Sequence, residues 1–276
     1  MSGGFVNKIV SAAIKSVRKP LNNPYKGYGI SWLRLKKLKH QGYHTPGEIV
    51  IDGTIVRYNH PPELLHSVRE IFIDKVYKIA SNEQSPLIID CGANIGLSVI
   101  NLKKQFPGST IIAFEPDKEN FKLLKQNAGS LPGVQLENKA VWDKNENLVF
   151  AMSGTQSSTI NEKDQANGSQ EIEAVRLKTY LDKPVFFLKM DIEGAEYKVL
   201  KDCSDSLKNI ANIFVEYHGT FETNSNLNEI LQTLTANKFS YYIKEADNVY
   251  PTPFAIEKRK SFDVQLNIFA FKAGSI

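Results

Sequence analysis

Acidic side chains are missing from the first 47 positions, which carry nine lysines and arginines and no aspartate or glutamate. The rest of the chain holds 25 basic and 30 acidic residues, so a strongly basic leader precedes a mildly acidic body. Cysteine is scarce. Cys91 and Cys203 stand far apart and in no metal-ligand spacing, which excludes a disulfide framework and fits small buried residues in a reducing compartment. No apolar run nears the ~20 residues of a membrane span. Lys8 and Lys15 interrupt the apolar stretch at the start, so a secretory signal is not expected and the chain is expected in the cytoplasm. Internal repeats are absent. What remains is 276 residues, 42% hydrophobic, enough for one large core with an extension.

Within the leader, Phe5, Val6, Ile9, Val10, Ala13, Ile14 and Val17 recur at helical spacing and give a basic amphipathic helix. Such a helix suits the inner face of an anionic membrane or a docking site on protein, through residues 1–40. Nucleic acid is not an expected partner, because the basic residues do not continue into the body and no nucleic-acid motif is visible. Pro20, Pro24, Pro46 and several glycines mark residues 20–47 as a loop-rich connector. Residues 48–80 read as a cap: a hairpin turning at Asp52-Gly53, then a helical pattern through Leu64, Leu65, Val68, Ile71, Phe72 and Val76.

Residues 81–276 alternate strands and helices. Strands are expected at 87–90, 110–115, near 134–142, at 185–191 and at 213–216, with helices at 97–105, 118–128, from about 195 and at 226–237. Short strand-like runs at 148–152 and 172–177 flank a polar insert, 154–170. A last pair, around 241–243 and 267–272, suits a terminal antiparallel hairpin. The fold class is therefore α/β, a mostly parallel sheet with helices on both faces. Tyr241 and Tyr242 are expected to fill core space rather than stack on a ligand.

The chemistry begins at Leu87-Ile-Ile-Asp-Cys-Gly-Ala-Asn-Ile-Gly96, a buried strand running into a glycine turn and a helix start. Ile111-Ile-Ala-Phe-Glu-Pro116 answers it, with Glu115 nineteen residues beyond Gly96. A carboxylate at the end of the second strand is the group that holds ribose hydroxyls in nucleoside-binding α/β domains. The loop is one glycine short of the dinucleotide fingerprint. Asp90, just before the turn, suits a cationic ligand better than a pyrophosphate. The spacing therefore favours S-adenosylmethionine over a nicotinamide cofactor.

Further acids gather at other strand ends, where open α/β sheets bind their ligands. Lys189-Met-Asp-Ile-Glu-Gly-Ala-Glu196 packs three acids into a strand end and helix start. Asp191 ends an apolar strand and should face the cleft, whereas Glu196 can be explained by the helix dipole alone. Glu216-Tyr-His218 ends the fifth strand, and His218 beside Asp191 could act as a general base. Alternatively Asp191, Glu216 and His218 could hold a divalent cation that binds the acceptor's hydroxyls. His60 and His66 read as surface residues of the cap.

These motifs, together with Asn120 and Asn127, resemble those of the FkbM-type methyltransferases over roughly residues 48–272. The resemblance implies a class I S-adenosylmethionine-dependent fold with an added N-terminal cap. It implies O-methylation, commonly of a sugar hydroxyl in a glycan, glycolipid or glycosylated natural product. It places Asp90, Gly92, Asn94, Gly96, Glu115, Pro116, Ala140 and Asp191 around the cofactor, with Asp191 near the methyl group. Lys139-Ala140 stands where an adenine-binding acid is usual, and Gln156-Ser-Ser158 resembles a serine-bearing segment of the family. Asp191, His218 and Glu216 are the catalytic candidates. Two rival readings are a nicotinamide-dependent oxidoreductase and a non-catalytic nucleoside-binding assembly subunit.

Overall fold

A computed structural model of the chain describes residues 23–151, 169–246, 249–252, 254–255 and 262–274. The helix expected over residues 5–17, most of the 154–170 insert and Gln156-Ser-Ser158 lie outside these residues. The chain divides into two compact units, residues 1–76 and 77–276. The hairpin and helix expected as a separate cap thus share a unit with the segment expected as a connector.

That segment is not all loop. It holds a 3-10 turn, Pro24–Tyr28, and helix α1, Trp32–His40. Ser31 accepts the Arg34 N–H as N-cap, and Leu35 and Leu38 bury one stripe. The prolines that suggested a loop fall outside the helix. Strands β1, Gly47–Ile51, and β2, Thr54–Tyr58, pair antiparallel. Asp52 and Gly53, both at positive φ (48° and 78°), make the tight turn between them. Pro61 opens α2, Pro61–Val68, where its missing N–H costs nothing. A π turn, Arg69–Ile73, extends it.

The second unit is built on a seven-stranded sheet. Its strands are β3 (Leu87–Cys91), β4 (Thr110–Phe114), β5 (Val134–Glu137), β9 (Val185–Met190), β10 (Ile210–Gly219), β11 (Ser240–Glu245) and β12 (Val264–Phe271). The order is β11-β12-β10-β9-β3-β4-β5. The five strands from β10 to β5 run parallel, and β12 lies antiparallel between β10 and β11. The chain leaves β3 toward β4 on one side and returns to β9 on the other. The crevice at this reversal of strand order is where such sheets bind ligands. Helices α3 (Leu97–Gln105) and α4 (Lys118–Ala128) pack on each other, as do α5 (Glu196–Asp202) and α6 (Asn224–Ala236). The core fills with Ile89, Phe114, Leu188, Met190, Val215 and Ile268, and both cysteines are buried in it as free thiols.

Two expectations are corrected. The single strand read near 134–142 is two: β5 belongs to the main sheet, and β6, Ala140–Trp142, belongs to a three-stranded sheet with β7 (Glu146–Ala151) and β8 (Ser169–Arg176). Asn138 causes the break, because its amide donates to the carbonyls of Glu115 (2.8 Å) and Pro116 (3.1 Å) instead of continuing the ladder. Tyr241 and Tyr242 do not fill the core. They lie exposed on β11, the edge strand, and Tyr242 stacks on Phe269 at 4.8 Å.

Candidate active site

The reversal crevice opens as a cleft. Gly92, Asn94, Glu115, Pro116, Ala140 and Asp191, six of the sequence-derived site residues, line it together. Five of them follow the ends of β3, β4 and β9, and Ala140 begins β6.

Gly92 follows β3 at φ 87°. The amides of Gly92 and Ala93 both donate to the Phe114 carbonyl (3.0 and 2.8 Å), tying the loop to β4. A Cβ at position 92 would collide with the Asp191 carbonyl oxygen, so only glycine lets the two loops pass. Gly96 serves a different purpose from the one expected. It caps α3 at φ 94°, and a Cβ there would press on Leu124 of α4 rather than on a ligand. Asn127 holds the same loop by donating to the Ile95 carbonyl at 2.8 Å.

Glu115 is buried at the cleft's edge. One carboxylate oxygen accepts the Asn94 N–H (2.8 Å) and the other the Asp117 N–H (2.9 Å). Burial pushes its carboxyl up to about 7, against the pull of those two amides. Asp117 in turn caps α4 by accepting the Asn120 N–H at 2.8 Å.

Asp90 is not on the cleft wall. It is fully buried beneath the loop, accepts the Ser98 hydroxyl at 2.5 Å and faces the Lys189 ammonium at 3.4 Å. Its partner is a lysine of the chain, not a cationic ligand. Lys189, which the sequence reading passed over, is the centre of this arrangement. It donates to the Gly92 carbonyl (2.6 Å) and pairs with Asp191 (3.3 Å) as well as Asp90. Burial opposes its charge, but Asp90 and Asp191 outweigh that and hold it well above the usual lysine range. Its signal in the sequence was a lysine inside an otherwise apolar strand.

Beyond Asp191 the loop turns on Glu193 and Gly194, at φ 55° and 101°. Glu193 lines the cleft, and a glutamate in the left-handed region is a strained placement. Glu196 does more than complement a helix dipole. It is completely buried, accepts the Ile192 and Gly194 amides at 3.1 Å, and faces His218 Nδ1 at 3.2 Å. It thereby clamps the Asp191–Gly194 turn.

His218 and Glu216 are not among the residues that line the cleft. His218 is buried behind Glu193, with Nε2 3.7 Å from Glu193 and 3.6 Å from Glu216. Burial disfavours its charged form, but Glu196, Glu193 and Asp191 more than offset this and raise the imidazole to about 10. An imidazole so raised keeps its proton at neutral pH, which speaks against the general-base role expected for it. Burial and the neighbouring acids push the Glu193 carboxyl up to about 8, partly countered by His218. Among the described residues, Asp191, Glu193 and His218 bring one ligand-type atom each within 4.8 Å of one another, with Glu193 in the place expected for Glu216. The imidazolium already supplies the cation these carboxylates face, so the group reads as ion pairing.

A doubly wound sheet with this glycine turn, this strand-end glutamate and this acidic second loop defines a class I methyltransferase. Residues 90–241 match the family model described as the methyltransferase FkbM domain, more than half of the chain. The chain belongs to the FkbM methyltransferase family. It is 29% identical to Methyltransferase 1 of Beauveria bassiana over 198 residues, covering 60% of this chain and 79% of that one. It is 35% identical over 79 residues to the 31-O-demethyl-FK506 methyltransferase FkbM of Streptomyces tacrolimicus, covering 28% and 30%. Against the hexuronic acid methyltransferase AglP of Haloferax volcanii it is 23% identical over 141 residues, covering 49% and 57%.

Proposed function

We propose that this methyltransferase moves the methyl group of S-adenosylmethionine to a hydroxyl oxygen, on a sugar of a glycan or glycolipid or on a hydroxyl-bearing natural product. The observation that carries the reading is the convergence of Glu115 with Asp191 and Glu193 on one cleft. The residues fit the donor. Each Glu115 oxygen accepts one backbone N–H and keeps a lone pair for a ribose hydroxyl. Ala140 leaves room beside the adenine, and Lys139 is tied to Glu173 at 2.9 Å. Asp191 lines the cleft with a carboxylate suited to a sulfonium, and Glu193 beside it adds a second negative charge once it is ionised.

Bound there, the donor supplies an activated methyl group for in-line transfer. The chain's own work is positioning. Lys189 and Glu196 fix the two loops, and the imidazolium of His218 holds Glu193 in place. Once ionised, above its raised value of about 8, the Glu193 carboxylate takes the proton of the acceptor hydroxyl. The relatives named for 31-O-demethyl-FK506 and for hexuronic acid support an oxygen acceptor.

Calorimetric titration with S-adenosylhomocysteine and, separately, NAD tests the cofactor. Binding of the first alone, lost in Glu115→Ala, is expected. Binding of NAD, or of neither, overturns the reading. Transfer of labelled methyl from the donor into a panel of saccharides then tests the acceptor, and label found only on nitrogen or carbon would refute O-methylation.

A further inference from the structure

Helix α1 carries a surface that methyl transfer does not use. Leu35 and Leu38 are its buried stripe. Leu33, Lys36, Lys37 and His40, at i, i+3, i+4 and i+7, make an outward stripe, and all four are exposed. Leu33 is 72% exposed and its neighbour Trp32 42%. The Lys36 ammonium sits 5.4 Å from the centre of the Trp32 ring. Arg34 and Lys39 flank the stripe and are exposed too.

Cations in the last turn of a helix complement its dipole, which accounts for Lys37 and Lys39 but not for Arg34 or Lys36. The dipole gives no reason for a tryptophan and a leucine held open to water in the first turn. Nor does it explain why no acid balances the cations anywhere in residues 1–47. Exposed Trp and Leu interleaved with lysines are the composition of a helix lying in a membrane interface. Among the described residues, no helix is long and apolar enough to cross a membrane.

We propose that α1 docks this chain on the surface of an anionic lipid bilayer. Trp32 and Leu33 enter the headgroup region, and Lys36, Lys37 and Arg34 face the lipid phosphates. Charge complementarity selects this occupant: Arg34, Lys36, Lys37 and Lys39 are all exposed cations of α1, and an exposed leucine adds affinity for acyl chains but none for a phosphodiester backbone.

The chain has two tryptophans, Trp32 and Trp142, and Trp142 is only 5% exposed. Quenching of tryptophan emission by brominated lipids therefore reads Trp32 in the unaltered protein. Quenching is expected with phosphatidylserine–phosphatidylcholine vesicles at low salt and not with phosphatidylcholine alone. Removing both lysines, Lys36→Ala with Lys37→Ala, should weaken vesicle partitioning about 25-fold, roughly fivefold for each charge. Leu33→Glu should abolish the quenching. These exposed positions lie outside the core, so an unchanged unfolding midpoint certifies the fold of each variant. Absence of quenching overturns the proposal. So does vesicle binding that survives both α1 variants, which would assign the contact to another segment. A labelled single-stranded RNA that binds through Lys36 and Lys37 while vesicles do not would overturn it in favour of nucleic acid.

Discussion

The Lys189 ammonium lies 2.6 Å from the Gly92 carbonyl oxygen, joining the end of β9 to the turn after β3. The same ammonium neutralises Asp90, a carboxylate with no exposure to water. Lys189→Met should leave that charge buried and unpaired, at a cost of about 3–5 kcal/mol. Urea unfolding measures it. The double variant Lys189→Met with Asp90→Asn should recover part of the loss, because it removes the orphaned charge along with its partner. If the single variant is as stable as the parent, Lys189 does not organise the loops.

Gly92 and Gly53 both have positive φ, but only Gly92 lies against another backbone. Gly53→Ala meets nothing within 4 Å and should cost about 1–2 kcal/mol for the left-handed residue alone. Gly92→Ala adds a collision with Asp191 and should cost clearly more, with loss of S-adenosylhomocysteine binding. Thermal unfolding of the pair compares them. Equal losses would mean that the two loops have room to separate.

The parts of this site that the sequence made legible are those encoded locally. Apolar runs ending in an acid announced β3, β4 and β9, and the glycine turn announced the cleft. Both α3 and α4 begin and end where the periodicity placed them. What stayed hidden depends on contacts between strands that only the fold brings together. The Asp90–Lys189 pair spans 99 positions, so nothing local reveals that Asp90 is already neutralised. The Glu196–His218 pair spans 22 and raises the imidazole, which favours its protonated form over the base expected from the sequence. Asn138 looked like one more strand residue because its two acceptors, the Glu115 and Pro116 carbonyls, lie on a neighbouring strand's exit.

His218 makes stability fall as pH rises. Its folded value, about 10, lies above the ordinary 6.5, so the folded state binds the proton more tightly. The contribution is complete below about pH 6.5 and is lost progressively up to about pH 10. At about 1.4 kcal/mol per pKa unit, the total is a few kcal/mol. Glu193, raised from 4.5 to about 8, works in the same direction over its own lower window. His218→Gln should flatten the stability curve above about pH 6.5 while leaving the slope below it, where Glu193 titrates. Denaturant midpoints from pH 5 to 10 decide this, and an unchanged slope above pH 8 would show that the imidazole is neutral in the folded chain.

Glu193 trades stability for function. A non-glycine residue in the left-handed region costs about 1–2 kcal/mol, and glycine at φ 55° escapes that strain. Glu193→Gly also removes a carboxyl that burial disfavours as an anion. Glycine gives back part of the gain, because the unfolded chain becomes more flexible. The net expectation is a variant about 1 kcal/mol more stable than the parent at pH 8. Above about pH 8, where Glu193 is ionised, the same change should take away the proton acceptor and a negative charge from the cleft. Affinity for the donor should therefore drop more than affinity for the product, S-adenosylhomocysteine, which lacks the sulfonium charge. The ratio of the two dissociation constants reads the cleft charge without needing the acceptor. A stabilised variant with an unchanged ratio would mean that Glu193 adds nothing to donor binding. A destabilised one would mean that its contact with His218 outweighs the strain.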